Sequence, residues 1–565
     1  MLSGIDLAVL GAYVAWSAAS GLASAKKAGT GLEEYVLAGR SLSGWSAGIS
    51  MAATQFAADT PLVVTGLVAT SGLFALWRLW IYAIAFLLLG FVLGASWRRA
   101  GVITDAELSE LRYGGRPAAA LRMIKAVHFG IFFNCTVLAM VLLATTRIVE
   151  PFGRWDLWLD PALFATLRSI VQALGLSLAG GSGICDATCT AECIRATCFD
   201  ASAWDAATSN TLSLGVVLIV TMLYSTTGGL RAVVRTDFVQ FVIAIVASIA
   251  YAGLIVDRVG GLEGLHERVS ALSASTGAGE SLLAMTPFEA AQGTLPLSLL
   301  AVLAVQWLAQ INADGSGYLA QRTMACRSDR DARIAGVVFT VAQVLVRSLI
   351  WIPIALGLIV LFPPSAAMDT AAREATYVRG IAEVLPPGLL GLMLAGMMGA
   401  LASTLDTHLN WGASYVSHDL WARFVAPRAL GRAARPRELV MVARLSNVAL
   451  LIVALAIVPR LESIQTAWHA SLLLGAGLGV VLVMRWMWWR TSASAELAAI
   501  ATSMVLAPIA LFTIDEEPVR LLLVAGGATL MAVLVARFGP AEDPARLRAF
   551  FERAQPPGFW GPVAG

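Results

Sequence analysis

Charged residues are scarce in this chain: Asp, Glu, Lys and Arg make up 13% of its 565 residues, whereas hydrophobic residues make up 58%. A soluble globular domain is about 25% charged and about 45–50% apolar. The shortage of charge excludes a water-soluble class, and no hydrophilic stretch is long enough to form a separate soluble domain. The sequence therefore predicts a protein of the lipid bilayer.

Motifs that mark ATPases, enzymes and metalloproteins are also missing. There is no Walker A loop, which argues against an ATP-driven pump. No nucleophile, base and orienting group stand together in a recognisable motif, so we predict that the chain is not an enzyme. The five histidines stand at no metal-ligand spacing from another ligand type, and a net charge of +2 gives no indication of a nucleic-acid partner.

What the chain has instead is apolar runs long enough to cross a bilayer, which takes about 20 residues each. Thirteen such runs are present, at residues 5–24, 43–70, 74–97, 123–148, 211–227, 236–257, 293–313, 336–362, 388–408, 438–458, 464–487, 493–513 and 518–537. The first run lacks a basic leading segment and a clear cleavage site, so we interpret it as a retained N-terminal helix. The pattern predicts an all-α, multi-pass fold of about 13 transmembrane helices, forming one membrane domain over residues 1–537.

Lys and Arg set the orientation of these helices, because they accumulate on the cytoplasmic side. About 27 basic residues fall on one side of the predicted membrane and about 10 on the other, and Arg322 belongs to the larger group. This bias places the N-terminus outside and the C-terminus inside, in the cell (inner) membrane. The loop 149–210 is then external, and the tail 538–565 is cytoplasmic with a Pro/Gly-rich end that we expect to be mobile.

Cysteine is rare, with six residues in the whole chain, and four of them fall in the external loop. Disulfides persist outside the cell, so two disulfides are the favoured interpretation of Cys185, Cys189, Cys193 and Cys198. Four cysteines allow three pairings, and all three stay open. A zinc site is the alternative, but the spacing C-x3-C-x3-C-x4-C is not a standard zinc pattern and no histidine lies close by.

One membrane run carries polar groups of a kind that lipid-embedded helices avoid. Within residues 391–419, an apolar helix of Gly, Leu, Met and Ala presents four polar residues on consecutive turns: Ser403, Thr404, Asp406 and Thr407. Two adjacent hydroxyls and a nearby carboxylate suit a small hard cation, which prefers oxygen ligands. This pattern indicates a Na⁺ site. The alternative is that the hydroxyls bond to the carbonyl four residues earlier, as membrane Ser and Thr often do.

Two membrane runs are interrupted near their middles. The second run is broken around Pro61, and the seventh is broken by the segment 312–318, Asn-Ala-Asp-Gly-Ser-Gly-Tyr. Pro61 has no N–H to donate, so nearby carbonyls lose their helical partners. Paired broken helices at corresponding positions in two halves, here 43–257 and 293–487, point to the central site of a transporter. The alternative is that Pro61 is a packing kink and the glycines form a loop.

Four strings, in order within residues 34 to about 500, resemble the sodium/solute symporters, relatives of the sodium/proline, sodium/galactose and sodium/sialic acid carriers. They are EYVLAGRSLSGW at 34–45, GGLRAVVRTDFVQ at 228–240, YLAQRT at 318–323 and ASTLD at 402–406. The resemblance implies a leucine-transporter-type fold of two inverted five-helix repeats. Helix 5–24 and two C-terminal helices in 493–537 would flank them. It also implies symport of Na⁺ and a small organic solute, such as an amino acid or a sugar, by alternating access.

Other functions stay open for a chain of this kind. A proton-coupled carrier of the same fold is one alternative, and a symporter-like membrane receptor or sensor is another. The tail after the last span is too short for a kinase, which argues against the receptor. A channel is disfavoured because paired helix breaks imply an occluded central site.

The resemblance also implies ion ligands. The main sodium site would use the carbonyls of Ala53, Phe56 and Ala400 and the hydroxyls of Ser403 and Thr404. A second sodium or ion-exit position would use Asp237, Asp406 and Thr407. The alternative is that these carboxylates pair with arginines such as Arg235. Na⁺ is the one metal ion expected.

We predict seven solute-binding residues: Gln55, Asp59, Thr60, Gln310, Asn312, Ser316 and Tyr318. Gln310 and Asn312 are included because they occupy the seventh run, where they could line a cavity. By the resemblance, Tyr318 matches a tyrosine that closes the site toward the cytoplasm. Asp59 departs from the sugar carriers and favours a ligand with amine or hydroxyl donors, unless it caps a half-helix or pairs within the protein. Arg347 lies well inside the eighth run and must find a carboxylate or water partner. The pattern selects neither one solute nor an oligomeric state.

Overall fold

The computed structural model describes residues 2–28, 30–176, 178, 201–275, 282–286, 304–308, 312–365, 368–461 and 463–564. The four loop cysteines and Gln310 lie outside these ranges, so the disulfides and the role of Gln310 stay predictions. The two other cysteines, Cys135 and Cys326, are buried free thiols.

Helices account for most of the described residues. In chain order the main ones are α1 (Gly4–Ala28), α2 (Leu32–Leu37), α3 (Gly44–Gln55), α4 (Thr60–Ser71), α5 (Leu73–Ala100), α6 (Leu108–Arg112), α7 (Gly115–Val149), α8 (Pro161–Ala173), α9 (Ala201–Arg258), α10 (Gly261–Ser275), α11 (Tyr318–Met324), α12 (Asp329–Leu361), α13 (Thr370–Val384), α14 (Leu389–Ala429), α15 (Pro436–Ile457), α16 (Ile464–Gly475), α17 (Gly479–Met487), α18 (Ala493–Thr513), α19 (Glu517–Phe538), α20 (Pro544–Ala554) and α21 (Gly561–Ala564). Isolated bridges join Leu42 to Cys326 and Trp488 to Phe559.

Nine helices of the described residues are long and apolar enough to cross a membrane, and each overlaps a predicted span. The predicted spans 43–70 and 464–487 are each divided into two shorter helices, α3 with α4 and α16 with α17. Span 5–24 lies within α1, whereas span 293–313 falls mostly outside the described residues. The all-helical, multi-pass class is confirmed, while the count of 13 and the orientation stay predictions.

Glycine divides the longest helix into two spans. In α9, Gly229 has φ 58°, a left-handed conformation in which a side chain would be strained. A Cβ at this position would also lie 2.7 Å from the carbonyl oxygen of Tyr35. The bend therefore lets α2 pack against α9, and it separates the apolar segments Ala203–Met222 and Gly228–Arg258.

Two buried apolar clusters form the core, and they meet at the break between α3 and α4. One cluster contains Phe56, Ala57 and Ala58 of the break and the α4 side chains from Leu62 to Val68. The other contains Ala47, Met51 and Ala52 of α3. The helix α14 also belongs to both clusters, through Leu405 and Leu409 in the first and Trp411 in the second. Polar groups at this junction are thus enclosed by apolar side chains on both sides.

The expectation of a mobile C-terminal end is wrong. Helices α20 and α21 pack against the ends of α5, α6 and α17, and Phe550 and Trp560 are 1% and 2% exposed. The guanidinium of Arg112 lies 5.4 Å from the ring of Phe550 and 4.7 Å from that of Trp560. These aromatic residues, rather than the Pro and Gly between them, decide the conformation, because burying rings over a cation is favourable.

Candidate functional site

The predicted break in the second span is present between α3 and α4, with Pro61 in the first turn of α4. Carbonyls before the proline lose backbone partners, and side chains from distant helices take over two of them. Arg347 Nη1 donates to Gln55 O at 2.8 Å, and Thr404 Oγ1 donates to Thr54 O at 3.0 Å. The break therefore connects α3 to both α12 and α14.

The second predicted break is present as well. Residues 312–317 are non-helical and lead into α11. Gly315 and Gly317 have φ of 83° and 76°, which other residues rarely adopt. A Cβ on Gly317 would lie 3.1 Å from the ring of Trp411, so this position also needs the space that glycine leaves.

A buried carboxylate organises the second break. Asp314 is fully buried, and it accepts hydrogen bonds from Ser316 N (3.0 Å), Ser316 Oγ (2.6 Å), Trp486 Nε1 (2.7 Å) and Arg485 Nη2 (2.7 Å). Ser316 Oγ also accepts from Arg485 Nη2 at 2.7 Å. The hydroxyl of Ser316, predicted to bind solute, is thus held by residues of the protein.

A cavity of about 200 Å³ lies between the two breaks. Six of the seven predicted solute-binding residues line it: Gln55, Asp59, Thr60, Asn312, Ser316 and Tyr318. The polar lining also includes residues that the prediction did not assign to the solute, namely Thr54, Gln343, Arg347, Thr404, His408 and Ser471. Aromatic side chains complete the wall, among them Tyr82, Phe86, Phe133, Trp411 and Trp468.

The oxygen atoms around Thr404 have the chemistry that a sodium ion needs. Thr404 Oγ1 lies 2.9 Å from Ala400 O and 3.0 Å from Thr54 O, so one hydroxyl hydrogen faces two carbonyl acceptors. The bond to Ala400 is the back-bond expected for a membrane threonine, and the contact with Thr54 comes in addition. A cluster with more oxygen acceptors than protons fits Na⁺, which would be cargo here.

Ser403 lies beside this cluster. It is fully buried, and its hydroxyl lies beside the Asp237 carboxylate. The predicted carbonyls of Ala53 and Phe56 belong to the same break, and both residues are buried, at 3% and 2% exposure. Their direct ligation of an ion stays a prediction.

Asp237, Asp406 and Thr407, predicted for a second ion, surround a buried arginine. Asp237 and Asp406 are both fully buried, and Arg322 interacts electrostatically with each of them. Arg322 Nη2 donates to Thr407 Oγ1 at 2.5 Å, whereas Arg235, the alternative partner suggested by the sequence, is exposed. Counting Arg322 among the cytoplasmic charges was wrong, since it is fully buried inside the bundle.

Contacts between helices surround the cavity residues. Gln55 Nε2 donates to the hydroxyl of Tyr318, so the two broken helices are joined at the cavity wall. Arg147 Nη1 donates to Glu374 Oε2 at 2.5 Å, and Gln465 N donates to Glu374 Oε1 at 3.0 Å. Glu374 is fully buried on α13, so this helix connects α7 and α16.

Residues whose partners are far away in the chain could not be assigned from sequence. Arg347 needed a partner, and the structure gives it Gln55 O and the ring of Trp351, 4.8 Å from the guanidinium. Asp314 had no predicted role because Arg485, its partner, is 171 positions away. The available signal was an isolated charge inside an apolar run, which predicts a partner without naming it.

Comparison with known proteins identifies the family. The model of the sodium:solute symporter family matches residues 35–170 and 190–503. A sodium/glucose cotransporter of Vibrio parahaemolyticus is 25% identical over 531 residues, covering 90% of this chain and 85% of that protein. Sodium/glucose cotransporter 4 of Danio rerio is 25% identical over 488 residues, covering 82% of this chain and 64% of the relative.

Two further similarities extend the comparison. Sodium/myo-inositol cotransporter 2 of Sus scrofa is 27% identical over 323 residues, covering 52% of this chain and 46% of the relative. The structure of a Na⁺-coupled sialic acid symporter in a substrate-bound outward-open state superimposes with a TM-score of 0.70 at 16% identity, covering 96% of this chain and 99% of that one. This likeness establishes the shared fold.

The chain is thus a transporter rather than an enzyme, and Na⁺ is its coupling ion. With the family model matching well over half of its length, the chain belongs to the sodium:solute symporter family.

Proposed function

We propose that this protein imports a small organic solute together with Na⁺ by alternating access, across the cell membrane. The solute would occupy the cavity between the two broken helices. Support comes from relatives whose names specify glucose and myo-inositol, and from the polar and aromatic lining of the cavity. Two inverted repeats, each contributing one broken helix, would supply the moving parts.

One observation carries the proposal of coupling. Thr404, which lines the cavity, bonds to the carbonyl of Thr54 at the helix break, and Thr54 lines the same cavity. A Na⁺ bound among these oxygens would hold α14 against α3 and so fix one wall of the solute site. Sodium would then favour the conformation that binds the solute, and the reciprocal effect follows by linkage.

The test is solute uptake into proteoliposomes that contain the purified protein. An inward Na⁺ gradient should drive accumulation above equilibrium, and replacing Na⁺ by choline should abolish it. A proton gradient without Na⁺ should drive none. Uptake that only equilibrates, or that follows the proton gradient alone, would contradict the proposal.

A further inference from the structure

Two opposite charges face the central cavity from different helices. Arg347 comes from α12 and Asp59 from the turn before α4, and both line the cavity. Ionisable groups at such depth are expensive unless they have partners or a function. The presence of both charges at one cavity therefore indicates something about the ligand that the cavity binds.

Among the described residues, no carboxylate is bonded to Arg347, which is held in place by other groups. Its Nη1 donates to Gln55 O at 2.8 Å, and its guanidinium lies 4.8 Å from the ring of Trp351, which is 3% exposed. The acid that interacts with it electrostatically is Asp59. One edge of the guanidinium is thus used for positioning, and the cation remains available at the cavity wall.

Asp59 is also incompletely paired. It stands at the N-terminus of α4, where the backbone amides of Asp59 and Thr60 lie near its carboxylate. Its Oδ1 is buried and has no hydrogen-bond partner in the part of the chain that the structure describes. A buried carboxylate oxygen without a donor is costly, and a ligand that brings a donor would remove this cost.

We propose that the solute is a zwitterion whose carboxylate binds Arg347 and whose ammonium group binds Asp59. This inference rests on the symport function proposed above and specifies its solute. Arg347 and Asp59 interact electrostatically, but no direct ion pair or hydrogen bond joins them in the described part of the chain. A neutral polyol would bring no counter-charge to either residue, an anion would bring one only to Arg347, and a cation would bring one only to Asp59. A zwitterion matches both and adds no net charge to the cavity, while Gln55, Thr60 and Gln343 supply neutral polar groups.

The first experiment measures thermal stabilisation of the purified protein in NaCl and in choline chloride. The probes are the twenty standard amino acids, γ-aminobutyrate, glucose and myo-inositol. We expect at least one of the amino-acid probes to raise the unfolding temperature, more in NaCl than in choline chloride, and the two polyols to have no effect. Stabilisation by a polyol, or by none of the amino-acid probes, would overturn the inference.

Two variants then separate binding from structure. For the stabilising amino acid, Arg347→Gln and Asp59→Asn should each raise the dissociation constant roughly 10- to 100-fold, the range expected for one charge-assisted hydrogen bond. The matched controls Arg379→Gln and Glu383→Gln remove the same charges from an exposed ion pair and should change nothing. A merely structural role would weaken binding of every analogue equally.

Analogues of the amino acid that lack one of its two charges test the separate roles of Arg347 and Asp59. The wild type should prefer the amino acid over its carboxamide, and Arg347→Gln should lose this preference. It should likewise prefer the amino acid over its N-acetyl derivative, and Asp59→Asn should lose that preference instead. Preferences that both variants retain would overturn the assignment.

Failure of this inference can be told apart from failure of the symport proposal. Na⁺-driven uptake of glucose or myo-inositol that amino acids do not inhibit would overturn the zwitterion and leave the symport intact. Binding or uptake of an amino acid that does not depend on the Na⁺ gradient would contradict the symport proposal and leave the zwitterion inference intact.

Discussion

Thr54 Oγ1 lies 2.8 Å from Thr407 Oγ1, and this contact joins the broken helix α3 directly to α14. The carbonyl of the same Thr54 accepts the hydroxyl of Thr404, one turn earlier on α14. One residue at the break therefore contacts both positions proposed to hold sodium, and it also lines the solute cavity. Binding of an ion at either position would therefore affect the solute site through the position of Thr54.

Removing the Thr404 hydroxyl should weaken sodium coupling. In Thr404→Ala, the Na⁺ concentration that gives half-maximal uptake should rise roughly 2- to 10-fold, because one oxygen ligand is lost. Thr208→Ala is the matched control, since Thr208 is a buried threonine with the same type of back-bond, to Trp204 O at 2.7 Å, and neither residue lines the cavity. If both variants need the same Na⁺ concentration as the wild type, the assigned site is wrong.

The number of sodium ions is testable through Asp406. Asp237 and Asp406 are both buried near one cation, Arg322, and the resemblance to the family predicts a second ion position at these carboxylates and Thr407. We expect a Hill coefficient above one for Na⁺ in the wild type and a value near one in Asp406→Asn. Glu383→Gln, at an exposed carboxylate, should behave like the wild type. A wild-type coefficient near one, unchanged in the variant, would leave a single-ion mechanism.

The stoichiometry sets the accumulation that the transporter can reach. One Na⁺ crossing about 100 mV releases about 2.3 kcal/mol, and a tenfold concentration gradient adds about 1.4 kcal/mol. For a neutral or zwitterionic solute, one ion supports roughly 500-fold accumulation and two support roughly 10⁵-fold. The limiting ratio measured in proteoliposomes at a fixed membrane potential therefore gives an independent count.

The buried ion pair between Arg485 and Asp314 should stabilise the fold only when both charges are present. Arg485→Gln leaves the buried Asp314 carboxylate without its cation and should lower the free energy of unfolding by about 3–5 kcal/mol. The double variant Asp314→Asn/Arg485→Gln removes both charges and should recover part of this loss. Thermal unfolding in detergent measures both. Equal loss in the single and double variants would show that packing, rather than charge, dominates here.

The packing of the C-terminal end can be tested by comparing a buried residue with its exposed neighbour. Trp560 is 2% exposed and Phe559 is 76% exposed. Trp560→Ala should lower the free energy of unfolding by about 3–5 kcal/mol, the usual cost of truncating a buried aromatic side chain, whereas Phe559→Ala should have little effect. Similar unfolding temperatures for the two variants would contradict the docking of α20 and α21.

The features that depend on the bilayer or on backbone geometry could be predicted from the sequence. Apolar length located the spans because a membrane helix must satisfy its own backbone hydrogen bonds. Pro61 and the pair Gly315 and Gly317 located the breaks, since these residues break helices or adopt positive φ. The hydroxyls on α14 stood out because polar residues in a membrane helix are uncommon.

Other features depend on contacts between residues that are distant in the chain, and local sequence patterns do not show such contacts. Arg322 was assigned to the cytoplasm because charge counting treats every basic residue near a span end alike, whereas this one turns inward toward Thr407. The C-terminal end was expected to be mobile from its Pro and Gly content. It is ordered because Trp560 Nε1 donates to Trp486 O at 2.8 Å and its ring covers Arg112. Both outcomes were decided by a distant partner.

The stacked Arg112 has a consequence for the order in which the protein assembles. Its aromatic cover, Phe550 and Trp560, lies roughly 450 residues further along the chain. At a synthesis rate of about 5–20 residues per second, the arginine waits roughly 20 to 90 seconds for these rings. During that time it stays hydrated, and α6 and α17 lack the surface that later holds them together. The end of the bundle that contains Arg112 is therefore among the last parts to be completed.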